Sequence, residues 1–443
     1  MFLGRSGNII KKKYCELSSI PEAVFFFLLE EDGMKRLIAL STILAVACGM
    51  SVFIISCGGG GGGDATIEGK FFFAADNGVN GLEPWSHDGT GSPMMVANLL
   101  ADPPAGDPES SEPSYFKEYN GLVYFKANDS DGNGSLWATD GSSAWMVTVR
   151  LGLSDPAILD GKLYYRGHNG DRNGLWVFDG TDLTELSSDD IFYSYMTPFD
   201  GKIIMSGYLP GELPSRQEPF VYNGISISRI ADINPSTGAS PGSYPMYFTE
   251  YNGAVYFRAA DDGSDYELWA TDGSSAWMVT PEINTGGSGD PTYLASYGGL
   301  LYFSGNDGAN GRELWASDGS SSWMVTPEIH TSGDAAPSYL TVCNDKLYFG
   351  AYDGTNGKEL WEYDSVLDQL KMAANINTAA GVGSNPTGTA DYPNKLICLD
   401  NNLYFGAEVG SQGYELYVYD GSTAELVGGS EMNPSDDFWF MGF

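Results

Sequence analysis

Residues 300–326 read Leu300-Leu301-Tyr302-Phe303-Ser304-Gly305-Asn306-Asp307-Gly308-Ala309-Asn310-Gly311-Arg312-Glu313-Leu314-Trp315-Ala316-Ser317-Asp318-Gly319-Ser320-Ser321-Ser322-Trp323-Met324-Val325-Thr326. Three apolar runs are separated by two clusters of Gly, Asp and Asn, residues that supply the positive φ a tight hairpin needs. Together with Pro291-Thr292-Tyr293-Leu294-Ala295-Ser296 upstream, the stretch reads as four strands: A over 291–296, B over 300–304, C over 313–316 and D over 323–326. The link after strand D is the longest, as a crossover from rim to axis must be.

The same unit recurs along the chain. Its second strand begins at Gly69, Gly121, Gly161, Gly201, Gly253, Gly299, Asp345 and Asn401. Its third strand carries Trp85, Trp137, Trp176, Phe220, Trp269, Trp315, Trp361 and Tyr417, at intervals of 52, 39, 44, 49, 46, 46 and 56 residues. A unit of this size suits a four-stranded blade. The eight copies predict an all-β chain forming one eight-bladed β-propeller over residues 67–443. A β-sandwich or β-helix accounts less well for one long link per unit.

The best copies, Glu267-Leu268-Trp269-Ala270-Thr271-Asp272-Gly273 and Glu313-Leu314-Trp315-Ala316-Ser317-Asp318-Gly319, resemble the ELWxxDGT repeat family of bacterial secreted and surface proteins. Leu136-Trp137-Ala138-Thr139-Asp140-Gly141 is a third close match, with Ser135 in place of Glu. The repeat with Phe220 is degenerate.

Seven units have a strand A, whereas only Ala65-Thr66-Ile67-Glu68 precedes the first Gly. The final segment, Asn433-Pro434-Ser435-Asp436-Asp437-Phe438-Trp439, looks like a strand A with no unit after it. The expectation is that it completes the first blade and closes the ring, which would remove open edges.

The N-terminus reads as an address. Met34-Lys35-Arg36 precedes a mostly apolar run of 19 residues over 37–55. A basic start followed by an apolar stretch is a secretory signal, although the length also suits a membrane anchor. Ile54-Ile55-Ser56-Cys57 resembles a bacterial lipobox, which implies a lipoprotein signal peptide over 34–56, cleavage before Cys57, and lipidation there. Cys48 is the rival site. Cleavage at Cys57 leaves 57–66 as a lipidated cysteine with a flexible Gly58–Gly63 tether. By the sorting rule of enteric bacteria, Gly58 after the cysteine implies the outer membrane. Residues 1–33 do not fit a signal peptide. Glu30-Glu31 can be encoded by a sequence like a ribosome-binding site, so 1–33 reads as a mis-assigned upstream extension.

The charge restricts partners. The chain has 443 residues with 58 Asp+Glu against 22 Lys+Arg, a net charge of −36. Residues 1–56 hold six Lys/Arg and five Asp/Glu, so the remainder carries −37. Nucleic acid is excluded as a partner, because phosphate recognition needs a basic surface. The five cysteines do not make a disulfide scaffold.

Three sets of residues invite chemistry. Trp145, Trp277 and Trp323 lie on strand D and could stack on sugars, with outer-strand packing the plainer and favoured reading. The acidic B–C turns, containing Asp129, Asp131, Asp261, Asp262, Asp307 and Asp353, could hold Ca²⁺. None has the full alternating ligand set, so turn chemistry is favoured. Cys343 and Cys398 lie on strands A of neighbouring units. Their one-residue offset puts them on opposite strand faces, which favours two buried thiols over a disulfide. The histidines His87, His168 and His330 lack metal-ligand spacing, and no P-loop motif occurs. The expectation is a monomeric, lipid-anchored protein of the bacterial envelope that binds a protein or glycan. An extracellular polysaccharide-active enzyme using channel carboxylates is the alternative.

Overall fold

The computed structural model describes residues 66–429, apart from 68, 78, 101–109, 149–153, 169–172, 188–192, 210, 214, 237–240, 379–382, 387–394 and 410–413, together with 29–31 and 34–36. The last two stretches pair as a small hairpin, Leu29–Glu31 with Met34–Arg36. The other strands form eight four-stranded antiparallel sheets, each in the order A-B-C-D. The sheets form a ring, and the protein is an eight-bladed β-propeller. Blade 6 is representative, with strands Thr292–Tyr297, Leu300–Asn306, Arg312–Ser317 and Ser322–Met324. Successive strands A lie side by side and form the wall around the axis.

The tightest turn is A–B. Asn120-Gly121 and Asn252-Gly253 both carry two consecutive positive φ values, 52° and 75°, and 48° and 78°. Two such residues make a hairpin turn whose twist matches that of the strands. The C–D turn is held by its aspartate. Asp318 Oδ1 accepts the N–H groups of Ser320 and Ser321, both at 2.9 Å, and the Ser320 hydroxyl at 2.8 Å. These donors hold the Asp318 carboxyl down to about 2. Asp140 and Asp272 make the same cage.

The motif glutamate pins the D–A crossover. Glu267 Oε2 accepts Ile283 N–H at 2.8 Å, and its Oε1 accepts Asn284 and Gly289 N–H at 3.3 and 2.8 Å. Glu313 holds Ile329 and His330 N–H at 2.8 and 3.0 Å. Glu218 and Glu359 do likewise for their loops. Burial pushes the carboxyls of Glu218, Glu267 and Glu313 up to about 7, against the pull of these donors.

Neighbouring blades are joined by apolar gaps that are filled all round the ring. Tyr302, Leu314 and Ala316 of blade 6 meet Leu347 and Phe349 of blade 7. Between the last blade and the first, Phe71 and Phe73 pack with Ile397, Leu399 and Tyr404. The strand C tryptophans enter these clusters, as expected, with Trp137 and Trp315 buried. Contrary to the expectation, the first blade has an inner strand of its own, the short Thr66–Ile67, paired among the described residues with Phe71 and Lys70. The segment expected to complete it, 433–443, lies outside the described residues.

The expectation for the cysteines is corrected. Cys343 and Cys398 form a disulfide, with Cα atoms 5.5 Å apart. The one-residue offset itself is present: Cys343 lies opposite Lys346 and Cys398 opposite Leu403, one register step apart. Adjacent blades pack face to face, however, so opposite sheet faces are the ones that meet in the gap. The position is a latch elsewhere in the ring. At equivalent places, Tyr119, Tyr251 and Tyr297 donate to the carbonyls of Gly161, Gly299 and Asp345 of the next blade, at 2.8, 2.8 and 2.7 Å.

Candidate ligand-binding site on the axial wall

The B–C turns and D–A loops share one end of the ring. Backbone bonds such as Asn306 N–H to Gly289 O, at 2.9 Å, tie them together. Strand A enters the wall from this end and is bulged there. In blade 6 the register shifts between Thr292 and Ala295, so strand A carries an extra residue. Blades 2, 3, 4, 5 and 7 show the same shift. In all of them but blade 3, where Asp155-Pro156 stands, the bulge holds a tyrosine with positive φ. Tyr115, Tyr195, Tyr247, Tyr293 and Tyr339 lie at 56°, 56°, 60°, 56° and 54°. This backbone region costs a bulky L-residue roughly 1–2 kcal/mol, and Gly or Asn would sit there more cheaply. Five aromatic side chains are therefore held against a local backbone preference.

Four of the rings form a continuous arc. Centroids are 6.5 Å apart for Tyr195–Tyr247, 5.4 Å for Tyr247–Tyr293 and 4.7 Å for Tyr293–Tyr339. All four are half-buried. Burial pushes the Tyr247 hydroxyl up to about 12, and Tyr293 and Tyr339 upward too, so all stay protonated and able to donate.

A fixed polar group stands beside the arc. Asp290, at the mouth of strand A, is bridged by Arg258 of blade 5 and Arg312 of its own blade. Arg312 Nη1 also donates to Asp290 O at 2.8 Å, and the Arg258 guanidinium lies 3.5 Å over the Tyr266 ring. Glu267 clamps Gly289, the residue before Asp290, so the repeat motif of blade 5 positions the polar group of blade 6. The resulting surface offers aromatic faces, hydroxyls, one carboxylate and two guanidiniums.

The residues expected from sequence are not gathered here. Trp145, Trp277 and Trp323 are 40%, 39% and 41% exposed on separate outer strands. Each lies opposite an alanine: Ala138, Ala270 and Ala316. Where the partner is Val177, Val221 or Glu362, the outer residue is Thr184, Ser228 or Lys371. A tryptophan is thus used where a small neighbour leaves space under it, a packing pattern. The aspartates sit in separate turns. Asp129 Oδ1 accepts Asp131 and Asn133 N–H, both at 3.0 Å, and Oδ2 accepts the Ser135 hydroxyl at 3.1 Å. Asp262, Asp307 and Asp353 each take two backbone N–H groups. Asp131 and Asp261 are exposed. Among the described residues, no three His, Cys, Asp or Glu converge to hold a metal ion. Cys57 lies outside the described residues.

The sequence reading missed the tyrosine arc, although its signal is visible. Pro113-Ser114-Tyr115, Pro245-Met246-Tyr247, Pro291-Thr292-Tyr293 and Pro337-Ser338-Tyr339 repeat one Pro-x-Tyr pattern.

No family model and no curated protein matches this sequence. Solved structures do match. One is a Mycobacterium tuberculosis puromycin-hydrolyzing peptidase, 10% identical with a TM-score of 0.47, covering 71% of this chain and 53% of that one. A puromycin hydrolase is 14% identical with a TM-score of 0.49, covering 74% of this chain and 55% of the other. The β-propeller domain of the Trilobed protease from Pyrococcus furiosus is 12% identical with a TM-score of 0.45, covering 71% and 97%. The chain spans about half the length of the two puromycin-cleaving proteins. At this distance their activities stay with them.

Proposed function

We propose that the chain is an envelope lipoprotein of the ELWxxDGT kind, anchored through Cys57, whose propeller binds a glycan or protein at the axial wall. The observation that carries this reading is the arc of Tyr195, Tyr247, Tyr293 and Tyr339, kept half-exposed on strained backbone. Strain concentrated at equivalent positions is a mark of functional surfaces. The Cys343–Cys398 bond supports a compartment outside the reducing cytosol. The Asp290 carboxyl beside the arc is held in place by two arginines. A pull-down from envelope extract combined with a glycan array, run on the wild type and on Tyr247→Asn/Tyr293→Asn, tests the reading. Capture should be lost in the variant. Equal capture by both proteins would move binding away from the axis.

A further inference from the structure

We infer that the axial wall of blades 4–7 is a subsite for a neutral pyranose oligosaccharide, with sugar rings on the tyrosine arc and hydroxyls on the Arg258–Asp290–Arg312 group. The inference rests on the axial wall being the binding surface, and goes on to name the ligand chemistry. Three observations lead to it. First, successive ring centroids are 4.7–6.5 Å apart along the arc, about the width of one sugar ring, so neighbouring tyrosines can serve neighbouring residues. Tyrosine combines a flat apolar face with a hydroxyl tip, the pair of properties a pyranose presents in return. Second, the polar group is fixed before any ligand arrives. Asp290 is held from both sides, and Arg312 is fixed further by the Asp290 carbonyl and, at 3.4 Å, by the Thr292 hydroxyl. A carboxylate and guanidiniums locked together give acceptors and donors at set positions, which selects hydroxyl-rich ligands and lowers the ordering cost of binding.

Third, charge selects against the alternatives. The same end of the ring carries the acidic B–C turns around Asp131, Asp261, Asp262, Asp307 and Asp353, and the whole chain carries −36. A polyanionic glycan must approach through that field, which repels it. A polycation would be drawn to the rim and then meet Arg258 and Arg312 at the wall. A neutral sugar crosses without penalty.

The test uses the full chain and isothermal titration with cellohexaose, maltohexaose and laminarihexaose as neutral probes and oligogalacturonate as the acidic one. Two variants accompany the wild type. Tyr293→Asn keeps a residue at ease with positive φ, and Asp290→Asn keeps the shape of the polar group. The wild type should bind at least one neutral hexasaccharide, and each variant should bind it roughly tenfold more weakly or worse while still showing a cooperative melt well above the assay temperature. Binding of oligogalacturonate alone, lost in Tyr293→Asn, would overturn the neutral assignment while leaving the axial site standing. Neutral binding untouched by both variants would place the sugar elsewhere and overturn the subsite. Failure of all four probes with the wild type would overturn the sugar assignment, and loss of extract capture in the tyrosine double variant would then keep only the broader binding role.

Discussion

The bond between Cys343 and Cys398 sets a quantitative test of how the ring is held. It joins strands A of blades 7 and 8 and closes a loop of 55 residues. Loop-closure entropy for that length is worth about 4 kcal/mol at 25 °C, taken from the unfolded state. The three tyrosine latches at equivalent places are single neutral hydrogen bonds, each worth about 1 kcal/mol net. One covalent latch should therefore outweigh all three. For a propeller spanning residues 66–429, the unfolding entropy is about 0.8 kcal/mol/K, so losing the bond should lower Tm by about 5 °C. Tyr251→Phe should lower it by only about 1 °C. The assay is a thermal melt of the wild type with and without reductant, beside Cys343→Ala/Cys398→Ala. Reduced wild type and the double variant should melt together, and both below the oxidised protein. A non-reducing digest should yield the two cysteine peptides as one cross-linked species. Two free thiols in that digest, or coincident melts of oxidised and reduced protein, would refute the reasoning.

Other perturbations separate the pieces of the repeat. The raised carboxyls of Glu218, Glu267 and Glu313 bind protons more tightly in the folded state, so their contribution is complete below about pH 4.5 and lost as pH rises through about 7. Tm should accordingly fall between pH 5 and 8, and Glu267→Gln/Glu313→Gln should flatten that slope; a wild-type Tm that rises over the window contradicts it. At the acid end, Asp140, Asp272 and Asp318, held near 2, contribute above about pH 4 and lose that contribution as pH falls towards 2, which a melt series from pH 4 to 2 would detect. Phe303→Ala removes a fully buried ring and should cost about 3–5 kcal/mol, whereas Tyr293→Asn exchanges lost packing for relieved backbone and should cost under about 1 kcal/mol in a denaturant titration. Gly319 has φ +89° and an added Cβ would stand 2.4 Å from the Tyr256 hydroxyl of the preceding blade, so Gly319→Ala should lower Tm, while Gly421→Ala, with open space around it, should lower it less.

What the sequence discloses and what it conceals follow from where each interaction lies. Strand pairing is local and periodic, so Leu300 to Thr326 gives four strands, and eight copies give the ring. The strand C tryptophans could be assigned to the core because apolar burial repeats with the blade. Interactions across the blade gap are another matter. Cys343 and Cys398 were read within their own strands, where an offset of one means opposite faces; only stacking the sheets turns that offset into contact. The glutamate of Glu-Leu-Trp looks like a surface charge in a strand, since its partners are mainly backbone N–H groups 16 to 25 residues away, which carry no side-chain signature. The tyrosines are hidden for the opposite reason. Aromatic residues at strand starts are ordinary, and nothing in Pro-x-Tyr announces a bulge with positive φ. The backbone penalty appears only once register is known, and only then does the same tyrosine, repeated on five blades, change from strand filler into a built surface. Glu267 links the two hidden layers. It holds Gly289, Gly289 sets Asp290, and Asp290 faces the arc, so the residue that defines the repeat acts on the candidate site of the next blade without touching a ligand. Glu267→Ala should therefore weaken axial binding beyond what its cost in stability explains, while Glu359→Ala, which clamps a loop two blades away, should cost stability alone.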